Sequence, residues 1–334
     1  MKITILGDGA WGTALALVAL QNENDVTLWG AFPEYLEKMR KTRRNENFLP
    51  DIPLPETLRL EDKLDHALND AELVIGAVPV QYLRGVLERD EMRAFPTDAV
   101  YVNVGKGIEL GTHLRPGQIV AEKLGDIAYT ALSGPSHAEE VAQRVPTAVV
   151  VASTQPAPAE FAQKALMTDN FRIYTSTDVI GVELGGALKN VFAVAAGICD
   201  GMGLGDNSKA AMITRGIAEM GRLGKLLGGQ PETFAGLSGV GDLIVTCMSR
   251  HSRNRHVGEE LGRGRTLDDI QEKMGKVVAE GVKTAKSAYE LAREQGADTP
   301  IIDEVYAVLY NKKDPQRAVR DLMQRDAKAE RPVP

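Results

Sequence analysis

The run Gly7-Asp8-Gly9-Ala10-Trp11-Gly12 stands directly behind the apolar segment Lys2-Ile3-Thr4-Ile5-Leu6 and opens a stretch of helical character. This order constrains the chain more than any other feature of its sequence. In a G-x-G-x-x-G turn between strand and helix, the first glycine allows a tight turn and the second lets backbone approach a pyrophosphate. The third lets helix and strand pack closely. The helix behind the turn offers unpaired N–H groups and its positive dipole end to the phosphates. Glycine turns of this form also occur without a ligand; the order strand, turn, helix, second strand is what selects dinucleotide binding here. Gly7, Gly9 and Gly12 are therefore candidate cofactor contacts.

The ribose end is less well marked. An acid closing the second strand grips the 2′-hydroxyl of NAD, whereas a nearby arginine accommodates the 2′-phosphate of NADP. Here the strand closes on Trp29-Gly30-Ala31-Phe32, with neither residue type. Glu34 is the nearest acid, and Arg40, Arg43 and Arg44 follow in a helix or loop. The sequence is compatible with NAD and with NADP.

Short apolar runs alternate with helical stretches through the first half of the 334 residues. Strands are expected at Ile3–Leu6, Val26–Trp29, Leu73–Val78, Val100–Val104 and Ala128–Leu132, with Thr147–Ala152 and Phe171–Tyr174 placed to extend the sheet. Between them, helices are expected at Ala10–Gln21, Glu34–Lys41, Leu64–Asn69, Gln81–Arg89, Leu114–Leu124 and Pro158–Met167. This alternation predicts βαβ units and a parallel sheet covered on both faces. From about Asp178 only helical patterns remain: Val182–Asp200, Ser208–Leu227, Asn254–Leu261, Leu267–Met274, Val282–Glu294 and Ile302–Leu309. The expected fold is an α/β N-terminal domain with a mostly parallel sheet over 1–180, followed by an all-α domain over 181–334. Two domains suit the length, since single cores stop growing at roughly 250–300 residues. Lys328–Pro334 read as a frayed tail.

A formal net charge of -7 leaves no surplus of positive charge for nucleic acid or an anionic membrane. An anionic small molecule needs only a local cluster of Arg and Lys, so that class stays open. Cys199 and Cys247, without a CxxC, argue against a disulfide scaffold or a Cys-rich zinc site, and for a reducing compartment. The chain opens on a strand, and Ala14–Leu20 is too short to span a bilayer. A cytoplasmic protein without membrane insertion is expected.

Ligands of open α/β sheets bind beyond the carboxyl ends of the strands. There Asn103-Val104-Gly105-Lys106-Gly107 sets a lysine between two glycines, and Ser133-Gly134-Pro135-Ser136 closes the next strand. Lys106 reads equally as a solvated loop lysine or a ligand contact. Lys189 is sharper, because Glu183–Ile198 is apolar nearly all round and so reads as a buried helix. A lysine is seldom buried unless paired. Its neighbours at helical spacing, Gly185, Gly186, Ala193 and Ala196, leave room beside the amine. The alternative is a lysine snorkelling to water from a helix edge. Burial lowers an amine's pKa toward the range of a general acid or base. Asp242 sits in the glycine-rich run Gly239-Val240-Gly241-Asp242-Leu243, and Arg250-His251-Ser252-Arg253-Asn254-Arg255-His256 is the densest basic cluster. That cluster is either a solvated face or a phosphate grip, for which arginine's planar fork is suited. No set of carboxylates or cysteines accompanies its histidines, so no metal is expected.

In order along nearly the whole chain, these fragments resemble the NAD(P)-dependent glycerol-3-phosphate dehydrogenase family. They are Gly7–Ala14, Asn47-Phe48-Leu49-Pro50, Lys106-Gly107, Ser133–Ser136, Glu183–Asn190, Gly241-Asp242-Leu243, Thr246, Ser252-Arg253-Asn254 and Glu280-Gly281. The resemblance implies a Rossmann-type domain and a helical domain with the site in the cleft between them. It implies Lys189 as catalytic acid/base with Lys106 and Asp242 as companions. Around the substrate it implies Lys106, Gly134, Ser136, Asn190, Thr246, Ser252, Arg253 and Asn254, with Arg253 at the phosphate. Around the cofactor it implies Ala10, Trp11, Ala31, Lys106, Ala138, Arg253, Val278 and Glu280. It further implies hydride transfer between NAD or NADP and a phosphorylated triose, supply of glycerol 3-phosphate for glycerophospholipid synthesis, and a homodimer. Ala31-Phe32 stands where many members carry basic residues. The competing readings are another two-domain dehydrogenase, acting on a 3-hydroxy acid or sugar acid, and a nucleotide-binding sensor without chemistry. Lys106, Asp242 and Arg253-Asn254 favour the phosphorylated triose over the first, and an intact Lys189 and Asp242 argue against the second.

Overall fold

The computed structural model describes residues 1–274, 279–327 and 329–330. Its strands are β1 (Lys2–Leu6), β2 (Asp25–Trp29), β3 (Arg44–Asn45), β4 (Leu49–Pro53), β5 (Arg59–Glu61), β6 (Leu73–Gly76), β7 (Val100–Asn103), β8 (Tyr129–Ser133), β9 (Thr147–Ala152) and β10 (Phe171–Ser176). Eight of them form one sheet in the order β10-β9-β8-β7-β6-β1-β2-β5, and β3 pairs with β4 as a separate hairpin. Neighbours in the large sheet run parallel except at β8–β9. The expected extension of the sheet by Thr147–Ala152 and Phe171–Tyr174 is therefore present, but with both strands reversed.

Alternate residues of the central strands enter different cores. Ile3, Ile5, Leu73, Ile75 and Val102 join one hydrophobic layer, whereas Leu6, Val74 and Tyr101 join the other. A strand buried on both faces loses its polar alternation, which is why these segments read as continuous apolar runs. Each large apolar side chain so buried contributes about 1.5–3 kcal/mol.

After β10 the chain is helical. Val179–Gly201 is the axis, with Gly205–Leu226, Asp242–Met248, Arg253–Gly262, Glu280–Glu294 and Pro300–Tyr310 packed on it. It is long and apolar enough to cross a membrane by length and composition, yet it is buried within the protein. This is the behaviour of a core helix. Asp178 caps it, accepting from the Gly181 N–H at 2.8 Å, and also accepts from the Gln230 N–H and the Thr233 hydroxyl. Where Val179–Gly201 crosses Arg253–Gly262, the two backbones touch. A Cβ on Gly197 would collide with the Arg255 carbonyl, and one on Gly258 with the Val194 carbonyl.

Several short elements were not expected from the pattern: β3, β4 and β5, the helices Pro231–Phe234 and Asp242–Met248, and a π turn over Leu237–Gly241. The helix Pro315–Met323 was also not expected, although its Asp314 cap and Pro315 at the first turn are ordinary start signals.

Glu219 is buried and accepts hydrogen bonds from the Ile301 and Ile302 N–H groups. Burial nevertheless pushes its carboxyl up from 4.5 to about 7. A proton held more tightly in the folded state stabilises it below pH 4.5, and that stability is lost as pH rises through about 7. Glu219→Gln is expected to flatten this part of the stability–pH curve, removing a change of about 3 kcal/mol. Denaturant unfolding across that range checks it; an unchanged slope would refute the assignment.

Candidate active site

The phosphate turn has the shape its glycines require. Gly7 has φ +118° and lies so close to Ala77 that a Cβ there would stand 2.7 Å from the Ala77 carbonyl oxygen. Gly9 faces open space, and Gly12 packs on the Gly7 carbonyl. No side chain caps the helix Ala10–Gln21, so its first N–H groups are available to an anion. A bare glycine face in front of an uncapped helix fits a dinucleotide pyrophosphate. Trp11 packs 6.4 Å, centroid to centroid, from Phe171, and its Nε1 is enclosed without a partner among the described residues. Ala138 begins a short helix packed against Ala10–Gln21. Ala31 is exposed just past the end of β2. Val278 lies outside the described residues.

At the carboxyl ends of β7 and β8 the sheet meets the helical domain. Lys106 Nζ donates to Asp242 Oδ2 at 2.6 Å and to the Gly134 carbonyl at 3.1 Å, and Ser136 Oγ donates to the same carbonyl at 2.9 Å. Lys189 Nζ donates to Asp242 Oδ1 at 2.7 Å and to Thr246 Oγ1 at 2.7 Å. The Thr246 hydroxyl in turn donates to the Asp242 main-chain carbonyl, so each group in the cluster has a defined role. Asp242 is 1% exposed and Lys189 7%, which rejects the snorkelling alternative for Lys189. The small residues beside Lys189 leave no void. The space over Gly186 holds the Lys106 stem and Ser133 Oγ, and the Ser238 carbonyl packs on Gly185.

Burial is the largest influence on the Lys189 ammonium and, with the charge of Lys106, brings its pKa down to about 8 against the pull of Asp242. Burial alone raises the Asp242 carboxyl, but the two ammonium groups outweigh it and hold Asp242 below its ordinary value. Asp242 thus remains a carboxylate serving two lysines. A π turn delivers it: the Gly241 N–H reaches back to the Gly236 carbonyl at 3.1 Å, immediately before the helix Asp242–Met248. Such turns recur at functional sites.

Asn190 and Asn254 are joined by a bond of 2.8 Å from Asn254 Nδ2 to Asn190 Oδ1, and Asn254 Oδ1 accepts from the Gly281 N–H. Ser252 caps the helix Arg253–Gly262 through the Arg255 N–H. Within the basic cluster Arg255 is spent on Asp200 and Glu259. Arg253 is exposed and has no ion pair among the described residues, at the rim of a recess also lined by Arg250, His251, Ser252 and His256. Glu280 starts the neighbouring helix; burial raises its carboxyl, opposed by the charges of Arg253, Lys189 and Lys106. Lys106, Lys189, Asp242, Thr246, Gly134 and Ser136 are thus joined in one hydrogen-bonded cluster and Asn190 and Asn254 in a second, while Ser252 and Arg253 line the recess. His137 joins them unannounced: burial and the charge of Lys189 lower its pKa, and its ring lies 6.0 Å from that of His251. Its place directly after Pro135-Ser136, beyond β8, was the available signal. Among the described residues no three His, Cys, Asp or Glu gather as for a metal.

A dinucleotide turn on one side of a cleft and a buried, titratable lysine on the other define the class of two-domain nicotinamide-dependent dehydrogenases. Comparison narrows the class. Models of the N-terminus and C-terminus of NAD-dependent glycerol-3-phosphate dehydrogenase match residues 2–159 and 178–320, and the chain belongs to that family. It is 51% identical over 332 residues to glycerol-3-phosphate dehydrogenase [NAD(P)+] of Geobacillus thermodenitrificans, covering 98% of this chain and 96% of that one. The enzyme of the same name from Geobacter sulfurreducens is 50% identical, with 99% of both chains covered. The crystal structure of glycerol-3-phosphate dehydrogenase from Coxiella burnetii superposes with a TM-score of 0.93 at 38% identity, covering 97% of this chain and 99% of that one. D-mandelate dehydrogenase, at 13% identity and a TM-score of 0.64, shares the fold alone.

Proposed function

We propose that the chain interconverts sn-glycerol 3-phosphate and dihydroxyacetone phosphate with NAD(P). The observation that carries this reading is the pair of lysines on one buried carboxylate, Lys106–Asp242–Lys189, with Glu280 feeling the charges of both lysines and of Arg253. A bound reduced nicotinamide supplies a hydride to the carbonyl carbon. Gly7, Gly9, Ala10, Trp11 and Gly12 hold its pyrophosphate side, with Ala31, Ala138 and Glu280 along the nucleotide. As negative charge grows on the carbonyl oxygen, protonated Lys189 donates the proton and Lys106 stabilises the developing charge. Asp242 keeps Lys189 cationic until it reacts and fixes the direction of both amines. Arg253, Ser252 and Asn254 take the phosphate, so that binding energy remote from the reaction positions the carbonyl. Gly134, Ser136, Asn190 and Thr246 complete the substrate wall.

The domain change falls near residue 180, where the axial helix takes over from the last strand. The protein works in the cytoplasm as a homodimer, supplying glycerol 3-phosphate to glycerophospholipid synthesis. Sedimentation would read the dimer directly.

The test is the loss of reduced-nicotinamide absorbance on adding dihydroxyacetone phosphate. No loss with any triose, while cofactor still binds, would remove the reading. Arg253→Ala is expected to raise KM for dihydroxyacetone phosphate by roughly 10–100-fold, the value of a charge-assisted bond. Its effect on unphosphorylated dihydroxyacetone should be small. Equal effects on the two substrates would take Arg253 out of the phosphate site.

A further inference from the structure

The end of β2 carries no acid, and Asp8 of the phosphate turn stands beside it. Asp8 is the variable residue between Gly7 and Gly9, and Gly30 follows β2. A Cβ on residue 30 would stand 2.6 Å from Asp8 Oδ2 and 2.8 Å from Asp8 Cγ. The Asp8 carboxyl therefore lies over the Cα of Gly30, where the side chain of an acid closing this strand would begin. Glycine at position 30 makes room for it.

The Asp8 main chain is held in place, and its carboxyl is underused. The Asp8 carbonyl accepts from Asn45 Nδ2 at 2.8 Å, and Asn45 is fixed in turn by Thr13 and by Tyr35, whose hydroxyl donates to it at 2.6 Å. Asp8 itself is partly exposed. Its Oδ2 is enclosed and has no hydrogen-bond partner among the described residues. An enclosed carboxylate oxygen without a donor is uncommon and costly; this one lies against Gly30, so a ribose hydroxyl would be met by the exposed part of the carboxyl.

The nearby cations supply a second, independent observation. Arg40 is committed to the Leu60 carbonyl and to Asp62, Arg43 to the carbonyls of Leu54, Pro55 and Leu58, and Arg44 to the Pro50 carbonyl. Lys38 and Lys41 pair with Glu46 and Glu37. Each of these five basic side chains already has at least one acceptor within the protein.

We propose that Asp8 reads the adenosine ribose and sets the preference of this chain for NAD over NADP. The carboxylate accepts from the ribose hydroxyls of NAD, and it repels a 2′-phosphate at the same place. The proposal rests on the use of a nicotinamide dinucleotide and is independent of which triose is reduced.

The experiment titrates NADH and NADPH into the wild-type protein, Asp8→Ala and Asp8→Asn, following the fluorescence of the reduced nicotinamide without any triose. Failure of the proposed reaction therefore does not affect the outcome. The wild type is expected to bind NADH at least about tenfold more tightly than NADPH. Asp8→Ala should weaken NADH by about tenfold or more and leave NADPH as tight or tighter, closing the gap. Asp8→Asn, which keeps an acceptor without the charge, should weaken NADH less and also relieve the rejection of NADPH. A wild type that binds both equally or favours NADPH would overturn the proposal. So would unchanged NADH binding in Asp8→Ala, or equal weakening of both cofactors in both variants.

Discussion

Lys189→Ala is expected to lower kcat by about 10³–10⁴-fold, near the upper range for loss of a positioned acid or base, while the protein still binds its cofactor. The fold should survive, because Asp242 keeps Lys106 at 2.6 Å and no buried carboxylate is left without a partner. The pH dependence carries the same signature. With the Lys189 pKa near about 8, carbonyl reduction needs the ammonium and should fall as pH rises through that value. Alcohol oxidation needs the free amine and should fall below it. Steady-state rates in both directions across this range check the assignment. Near-normal turnover by Lys189→Ala, or pH slopes of the reverse sign, would end the case for Lys189 as the proton donor.

Asp242→Ala should damage both activity and stability. It would leave two ammonium groups, each within hydrogen-bonding distance of the removed carboxylate, facing one another in a buried site. Breaking a buried ion pair by deleting one member costs about 3–5 kcal/mol. For a chain of this size that lowers the melting temperature by about 4–7 °C. Asp242→Asn separates charge from shape, because the amide oxygen still accepts from one lysine. Without the negative charge the Lys189 pKa drops, and the inflection of the reduction profile should move to lower pH. An inflection that stays at the wild-type pH in Asp242→Asn would show that Asp242 acts on shape alone.

The large divisions of the molecule were legible in its sequence because they rest on periodicity and glycine placement, which are local. Val100–Asn103 and Leu73–Gly76 are largely apolar because both faces are covered, and the burial of Lys189 followed from the apolar girth of its helix. Strand direction is another matter. β9 carries the same apolar pattern whichever way it runs. Its reversal depends on the link from β8, which contains only the five-residue helix Ala138–Ala142 rather than a covering crossover. The π turn was hidden for a similar reason, since Leu237-Ser238-Gly239-Val240-Gly241 reads as an open loop. It is packed through the Ser238 carbonyl on Gly185 of the axial helix, a tertiary contact. The use of the small residues near Lys189 was half legible: space was foreseen, but not that Lys106 and Ser238 would fill it. Asp8 stood in plain view inside the phosphate motif. Its meaning appears only once Gly30 is seen beneath its carboxyl.

The glycine crossing of the two long helices has a consequence for what the cleft can measure. Lys189 rides on one of these helices and Arg253 begins the other. Where Gly197 and Gly258 bring main chain against main chain, no side chain is present to compress or repack. On the proposed roles of Lys189 and Arg253, the two backbones that carry proton donor and phosphate grip are then spaced by their own thickness, like the arms of a calliper. A substrate lengthened by one methylene between carbonyl and phosphate cannot be met by the helices moving apart a little. On that reading only the Lys189 and Arg253 side chains are left to adjust, so chain length would be gauged largely by the skeleton of the fold.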